Sequence, residues 1–390
     1  MKKLAMVALS LILLLTACAP NFKKQEEVVQ NSKDDSKEEA IIPKYQISDQ
    51  YYRTILPFKP GEARGLVVNN LNTRYDINEF ETGLMRVALK DFDPDKYLFQ
   101  EGQYLKKKTV GLWLNRQFTP EQLAAEGLKE TENIGLNPLD DGVGDIKERN
   151  EKNPIYLAHI LEHNYLIKDD DGKVRLGGVV LGLALNSVYY YQTVQYGATY
   201  ERKIPHEELE RKGKEIAAEV AKRIRGVEGL EEVPVTIALF EQEAISSVVP
   251  GNFFAYANVS KGSNSLGSWQ SIDENYYLFP SEEATKDHRD DVTFFQNFKQ
   301  DVEAYFPNFN GVIGKAFYVG NQLNELSISI PIQFYGKAEG VGFTQYVTGL
   351  VMDHFPNYVT VQVSITSVNG PEALIIRKAD QNEPIVHIYQ

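Results

Sequence analysis

The chain has one cysteine, Cys18, and it closes the apolar run that opens the sequence, MKKLAMVALSLILLLTAC. No internal disulfide can staple the fold, so the rest of the chain must be held by packed cores. Lys2 and Lys3 precede the run, and Thr16 and Ala17 are small residues at its end. Roughly a dozen apolar residues fall short of the ~20 that cross a hydrocarbon core, and the basic start and small-residue end are those of a signal peptide.

Leu15-Thr16-Ala17-Cys18 resembles a lipobox, in which the cysteine sulfur takes a diacylglyceryl group and the chain is cut just before it. The expectation is cleavage between Ala17 and Cys18 and a mature protein anchored by lipid on the outer face of the cell membrane. Two acyl chains hold stably where one binds only marginally. An uncleaved anchor and an ordinary secreted protein are the alternatives. No cofactor beyond the lipid on Cys18 is expected.

At 390 residues the chain has length for two cores, since domains usually run to about 100–200 residues. Its net charge of -13 argues against nucleic acid as a main partner and against further electrostatic attraction to anionic lipid. A monomer is expected. Residues 18–44, including NFKKQEEVVQNSKDDSKEEAIIPK, are charged and almost free of aromatics, which reads as a disordered tether. A globular pattern starts near Tyr45.

Apolar spacing organises the remainder. Phe80, Leu84, Val87 and Ala88 mark one face of a helix ending at Asp93-Pro94, and TVGLWLN from Thr109 reads as a strand. After the turn-rich stretch Leu136 to Pro154, two apolar runs flank KDDDGK, a strong hairpin signal. Leu209, Ile216, Val220 and Ile224 share a helix face, and VPVTIALF from Val233 is the next strand. Beyond Pro250-Gly251 comes a second set: a helix through Phe294, Phe298, Val302 and Phe306, stopped at Pro307. An alternating strand through Leu326, Ile328, Ile330, Ile332 and Phe334 succeeds it, then a helix with Phe343, Val347, Leu350 and Val351, and a strand from Val359.

The second set repeats the order of the first, a helix, strands, a second helix and a strand, and ALKDFDPDKYLFQEGQYL resembles VEAYFPNFNGVIGKAFYVGNQL at the junction. The expected fold is α+β, as two diverged tandem repeats, residues 45–250 and 251–390, each a mostly antiparallel sheet with helices on one side.

The lipobox, the acidic tether, the two-unit body and segments such as GLNP (Gly135 to Pro138), NPIYLAHILE (Asn153 to Glu162) and YVTVQVSITSVNGP (Tyr358 to Pro371) resemble the CamS family of Gram-positive lipoproteins. The resemblance implies a sex pheromone precursor, whose signal peptide releases a short hydrophobic signal for plasmid transfer. The corresponding segment is Leu11, Ile12, Leu13, Leu14, Leu15, Thr16 and Ala17. LILLLTA departs from the Ala-Ile-Phe-Ile-Leu type core of the family's active peptides.

Within the body, His159-Ile160-Leu161-Glu162-His163 is a formal H-x-x-E-H. On a helix its two imidazoles could share a zinc ion with Glu162 as general base, whereas on a strand they would only flank Leu161. No third ligand is evident. Aromatic residues, among them Tyr189, Tyr191, Trp269 and Tyr277, could stack on a cell-wall sugar or peptide, or pack across strands. KDDDGK and DDGVGD (Asp140 to Asp145) read as turns rather than calcium loops. No phosphate loop or nucleophile elbow is present in the sequence. The expected body is a non-enzymatic binder, with an extracellular hydrolase as the alternative.

Overall fold

The computed structural model describes residues 26–31, 37–43, 45–48, 51–305, 311–333 and 336–390. Leu11 to Ala17, Cys18, Phe306, Pro307 and Phe334 lie outside the described residues.

Two large sheets carry the fold. The first contains β1 (Glu26–Asn31), β2 (Lys37–Ile42), β3 (Arg53–Thr54), β4 (Tyr97–Glu101), β5 (Leu157–Lys168), β6 (Lys173–Asn186), β9 (Val235–Gln242), β10 (Asn252–Val259) and β11 (Gln270–Ser271). Between β6 and β9 the ribbon β7 (Val188–Gln192) and β8 (Thr199–Lys203) stands apart. The second sheet is β12 (Glu274–Phe279), β13 (Ile313–Val319), β14 (Gln322–Pro331), β15 (Thr360–Ser367), β16 (Gly370–Arg377) and β17 (Ile385–Ile388). Nine α-helical segments occur among the described residues: α1 (Val67–Asn70), α2 (Arg74–Ala88), α3 (Lys107–Leu114), α4 (Pro120–Glu126), α5 (Ile146–Lys152), α6 (His206–Ile224), α7 (Glu282–Asp287), α8 (Arg289–Tyr305) and α9 (Lys337–His354).

In the order β4-β5-β6-β9-β10-β11 the first sheet is antiparallel except for a parallel pair, β6 with β9, at its centre. The second sheet repeats this order and these directions as β12-β13-β14-β15-β16-β17, with β14 parallel to β15. A parallel neighbour needs a crossover, and α6 and α9 supply it. Topologically β4 matches β12, so the junction likeness in the sequence, which sets the start of β4 against β13, is one strand out of step.

The two sheets differ in cover. Val179, Leu181, Leu183 and Leu185 of β6 pack under Leu209, Ile216, Val220 and Ile224 of α6. Val180 and Ala184 on the opposite face pack with Phe80, Leu84 and Val87 of α2. Helices on both faces explain why β6 is nearly all apolar. Gly178 lets the Phe92 ring lie on the strand, since a Cβ there would come within 2.1 Å of it. In the second sheet one face alone, with Ile328, Ile330, Val361 and Val363, packs under Phe295 and Phe298 of α8 and Phe343 and Val347 of α9. Helices on one side therefore describe the second unit and not the first.

Three further expectations change. TVGLWLN belongs to α3, because its buried residues Val110 and Trp113 are three apart and share a helix face. Pro250-Gly251 is a loop between the antiparallel strands β9 and β10, so the sheets meet between Ser271 and Glu274 rather than at residue 250. Two stretches of the expected tether are strands: β1 pairs with β2 along its length and, in parallel, with β6 at Val29–Lys173 and Gln30–Val174. Ala40 and Ile42 are buried with Ile55, Leu98, Leu166 and Val174, so the apolar end of that segment is part of a core.

The units meet through a partly buried polar cluster about Glu79. Arg86 of α2 bonds Glu79 and, at 2.7 Å, Glu274 of β12; Tyr276 donates to Glu79 at 2.6 Å; and the Arg86 guanidinium lies 4.8 Å from the Phe317 ring centre.

Candidate functional site

The H-x-x-E-H residues lie on β5. Four residue steps along the strand set the His159 and His163 Cα atoms about 13 Å apart, against about 6 Å on a helix. Successive strand residues face opposite ways, which sets Glu162 against both histidines. Its carboxylate is also occupied: Oε1 accepts from the Gln103 and Tyr104 amides at 3.1 Å each, and Oε2 from Leu105 at 2.6 Å. Glu162 thus pins the chain entering α3 and is not poised as a general base. Burial pushes its carboxyl up, and those amides oppose the shift. Among the described residues no group of three or more His, Cys, Asp or Glu could hold a metal ion. The H-x-x-E-H residues therefore do not come together as the zinc site expected of a helix.

The two imidazoles border a cavity of about 80 Å³ whose lining mixes apolar residues such as Met85, Phe99 and Val110 with the charged Arg64, Glu81, Glu101 and Glu162. Burial pushes His159 down to about 4 and His163 down to about 3, so both are neutral at physiological pH. His163 packs edge-on against Phe99, and its Nδ1 has no partner among the described residues. His159 Nδ1 lies 3.4 Å from Asn70 Nδ2; with His159 neutral, the geometry suits the tautomer in which Nδ1 accepts.

Asn70 leads to the second concavity, an open groove of about 450 Å³. Asn69 and Asn70 at the end of α1 and Asn72 in the turn before α2 form one wall, and Gly111, Leu114 and Asn115, at the end of α3, another. Leu66, Ile155, Leu157, Ala158, Asn186, Val188, Tyr189 and Tyr190 complete it. In a chain with 24% charged residues, none of these is charged.

The groove is held from behind. Thr73 caps α2 by accepting from the Asp76 amide at 3.0 Å, and buried Asp76 accepts from Gly251 at 2.9 Å. Gln242 accepts from the Asn72 amide at 2.8 Å and donates to Asn186, which donates to the Ile155 carbonyl at 2.9 Å. Gly135 and Asn137 of GLNP lock the opposite wall. Asn137 accepts from Tyr156 and Leu157 and donates to the Leu114 and Leu157 carbonyls, while a Cβ on Gly135 would lie 2.3 Å from the Arg116 carbonyl oxygen. Exposed Asn69 and half-buried Asn115 have no side-chain hydrogen bond among the described residues.

The four aromatic candidates do not form one site. Tyr189 borders the groove, donating to Asn150 at 2.8 Å, and Tyr191 stacks between Tyr189 and Tyr200 on the ribbon. Trp269 packs against the first core with Lys214 5.6 Å from its ring centre. Tyr277 is on the second sheet, beside His288 and Tyr318. Sequence reasoning missed the asparagines. The available signal was Asn69, Asn70 and Asn72 crowded into four positions before a helix; Asn115 and Asn186 join them only through the fold. Asp140, in DDGVGD, forks with Arg149 at 2.7 Å, in keeping with turn chemistry.

Fold and groove together define an α+β protein of two mixed sheets whose open concavity is lined by amides and tyrosines. The profile described as CamS sex pheromone cAM373 precursor matches residues 58–383, and the chain belongs to the CamS family. It is similar to the solved sex pheromone precursor of Lactobacillus salivarius subsp. salivarius UCC118, at 31% identity over 90% of this chain and 99% of that one, with a TM-score of 0.81. The C-terminal domain of the sex pheromone staph-cAM373 precursor of Staphylococcus aureus is 33% identical over 82% of this chain and 98% of that one, with a TM-score of 0.72. No curated protein matches the chain. Among the described residues no helix is long and apolar enough to cross a membrane.

Proposed function

We propose that the chain is a cell-surface lipoprotein with two separable roles: a pheromone precursor through its signal peptide, and a non-enzymatic binder through its folded body. Cys18 takes the lipid, Leu11 to Ala17 is the released peptide, and the two six-stranded paths are diverged copies of one unit, as their shared order and directions suggest. The observation that carries the binder reading is the groove lining, rich in amides and tyrosines and free of charged side chains. No His, Asp, Glu, Lys or Cys lines this concavity to serve general acid-base chemistry near neutral pH, and it offers a ligand hydrogen bonds and aromatic surface instead.

Detergent-phase partitioning of the full-length protein tests the anchor. Wild type partitions into the detergent phase and Cys18→Ala, uncleaved and without lipid, changes in mobility and is no longer labelled by radioactive fatty acid; equal labelling of both rejects lipidation at Cys18. Synthetic LILLLTA given to plasmid-bearing enterococcal responder cells raises transfer frequency if the peptide is a signal, and no response at any soluble dose removes that role.

A further inference from the structure

We propose that the groove binds a neutral N-acetylated sugar, as a short stretch of a glycan chain. This rests on the reading of the body as a binder and names the ligand class.

Charge decides the first step. An anionic ligand needs cations and a cationic one needs carboxylates, but neither lines the groove. A purely apolar ligand would leave the amides of Asn69 and Asn115 unpaired beneath it, at the cost of desolvating them. A neutral ligand dense in groups that both donate and accept remains, and sugar hydroxyls match carboxamides in this respect.

The distribution of groups narrows the class. Asn69 and Asn115 stand on opposite walls, one before α2 and one after α3, with no side-chain partner among the described residues. Asn70 is steadied by His159, and Asn72 by Gln242 and by donating to the Glu243 carbonyl at 2.7 Å. Their amide oxygens remain as acceptors. Leu114, Leu157 and Val188 supply apolar surface beside these amides. A methyl next to an amide N–H and a carbonyl is the outline of an acetamido group. Tyr190 adds a ring, fixed because its hydroxyl accepts from the Ile245 amide at 3.2 Å, against which the C–H face of a pyranose can lie. Asn70, Asn72 and Tyr190 are held by the fold before any ligand arrives, which lowers the ordering cost of binding.

The test is calorimetric titration of detergent-solubilised full-length protein with N,N′,N″-triacetylchitotriose, with maltotriose and a neutral tripeptide amide as comparison probes. Saturable binding of the chitotriose, at least tenfold weaker for maltotriose and the tripeptide, is expected. Asn115→Ala and Tyr190→Phe bracket the groove: the first weakens binding at least tenfold, and the second by less, since the ring remains. Asn69→Asp keeps the shape and adds an acidic group, and also weakens it at least tenfold. Tyr277→Ala, on the second sheet, leaves it unchanged. Circular dichroism confirms the fold of each variant. No chitotriose binding, or binding indifferent to Asn69 and Asn115, overturns the proposal. Tripeptide binding lost in Asn115→Ala overturns the sugar class while keeping the binder reading. Chromatographic loss of chitotriose during incubation overturns the non-enzymatic reading while leaving sugar recognition in place.

Discussion

The first and second sheets thread six strands in the same order and directions, yet they are dressed differently. The first carries helices on both faces, a ribbon between β6 and α6, and the long excursion from α3 to α5; the second carries helices on one face. The histidine-lined and asparagine-lined concavities both belong to the first. A strand buried on two faces leaves few polar positions, so the first unit builds its polar surface from inserted loops around the strand ends. The second unit keeps a bare sheet face, where Ser327, Ser329, Gln362 and Ser364 alternate with core residues. Most of the groove is built from helices and loops that have no counterpart in the second unit.

The largest effects should come from the buried side chain that closes a loop in each unit. Asn137 serves the first, and Arg377 the second, donating to the Phe355 carbonyl at 2.9 Å and the Pro356 carbonyl at 2.6 Å beyond α9. Asn137→Ala and Arg377→Leu should each cost about 2–4 kcal/mol by stranding buried backbone groups. Hydrogen exchange should localise each loss to its own unit. Equal loss of protection in both units for either variant would break the comparison.

Acid should separate the units next. Unfolded histidine titrates near ~6.5, so between that value and the folded values of about 4 and about 3 the unfolded chain binds more protons at His159 and His163. Stability therefore falls as pH drops through this window, and below the folded values the contribution of these groups, on the order of a few kcal/mol, is gone. Buried Asp76, Glu79 and Glu162, pushed up by burial, titrate with the opposite sign. The difference between wild type and His163→Leu isolates the histidine contribution: denaturation midpoints of the variant should fall less on acidification, and parallel curves would refute the assignment.

Smaller changes sharpen the contrast further. Tyr276→Phe removes one hydrogen bond to Glu79 and should cost about 1 kcal/mol, visible as earlier separation of the two units in a thermal scan. Asn115→Ala should move stability by no more than about 0.5 kcal/mol, because its side chain has no partner among the described residues, and a larger shift would assign it to the scaffold.

The frame was legible where a single face decides burial. Phe80, Leu84 and Val87, and likewise Phe343, Val347 and Val351, announce α2 and α9 because helical spacing and core contact coincide. The alternation in ELSISIPI announces β14 for the same reason. TVGLWLN misled because five of its seven residues are apolar or β-branched while only Val110 and Trp113 are buried. Pro250-Gly251 looks like a linker but turns between paired strands. The role of Glu162 depends on three amides nearly sixty residues away, and the groove needs Asn115 and Asn186 brought beside Asn69. No local pattern encodes either.

The hairpin of β1 and β2 has a mechanical side. Two register pairs join β1 to β6, whereas eight join β6 to β9. When the chain is held at its amino-terminal end and the body is dragged by flow or by a bound partner, the load reaches β1 first. The short splice parts while the central sheet stays shut, and the released arm lengthens the leash. On pair count alone, a pull on the amino-terminal end would be met by that short splice before the central pairing of β6 and β9.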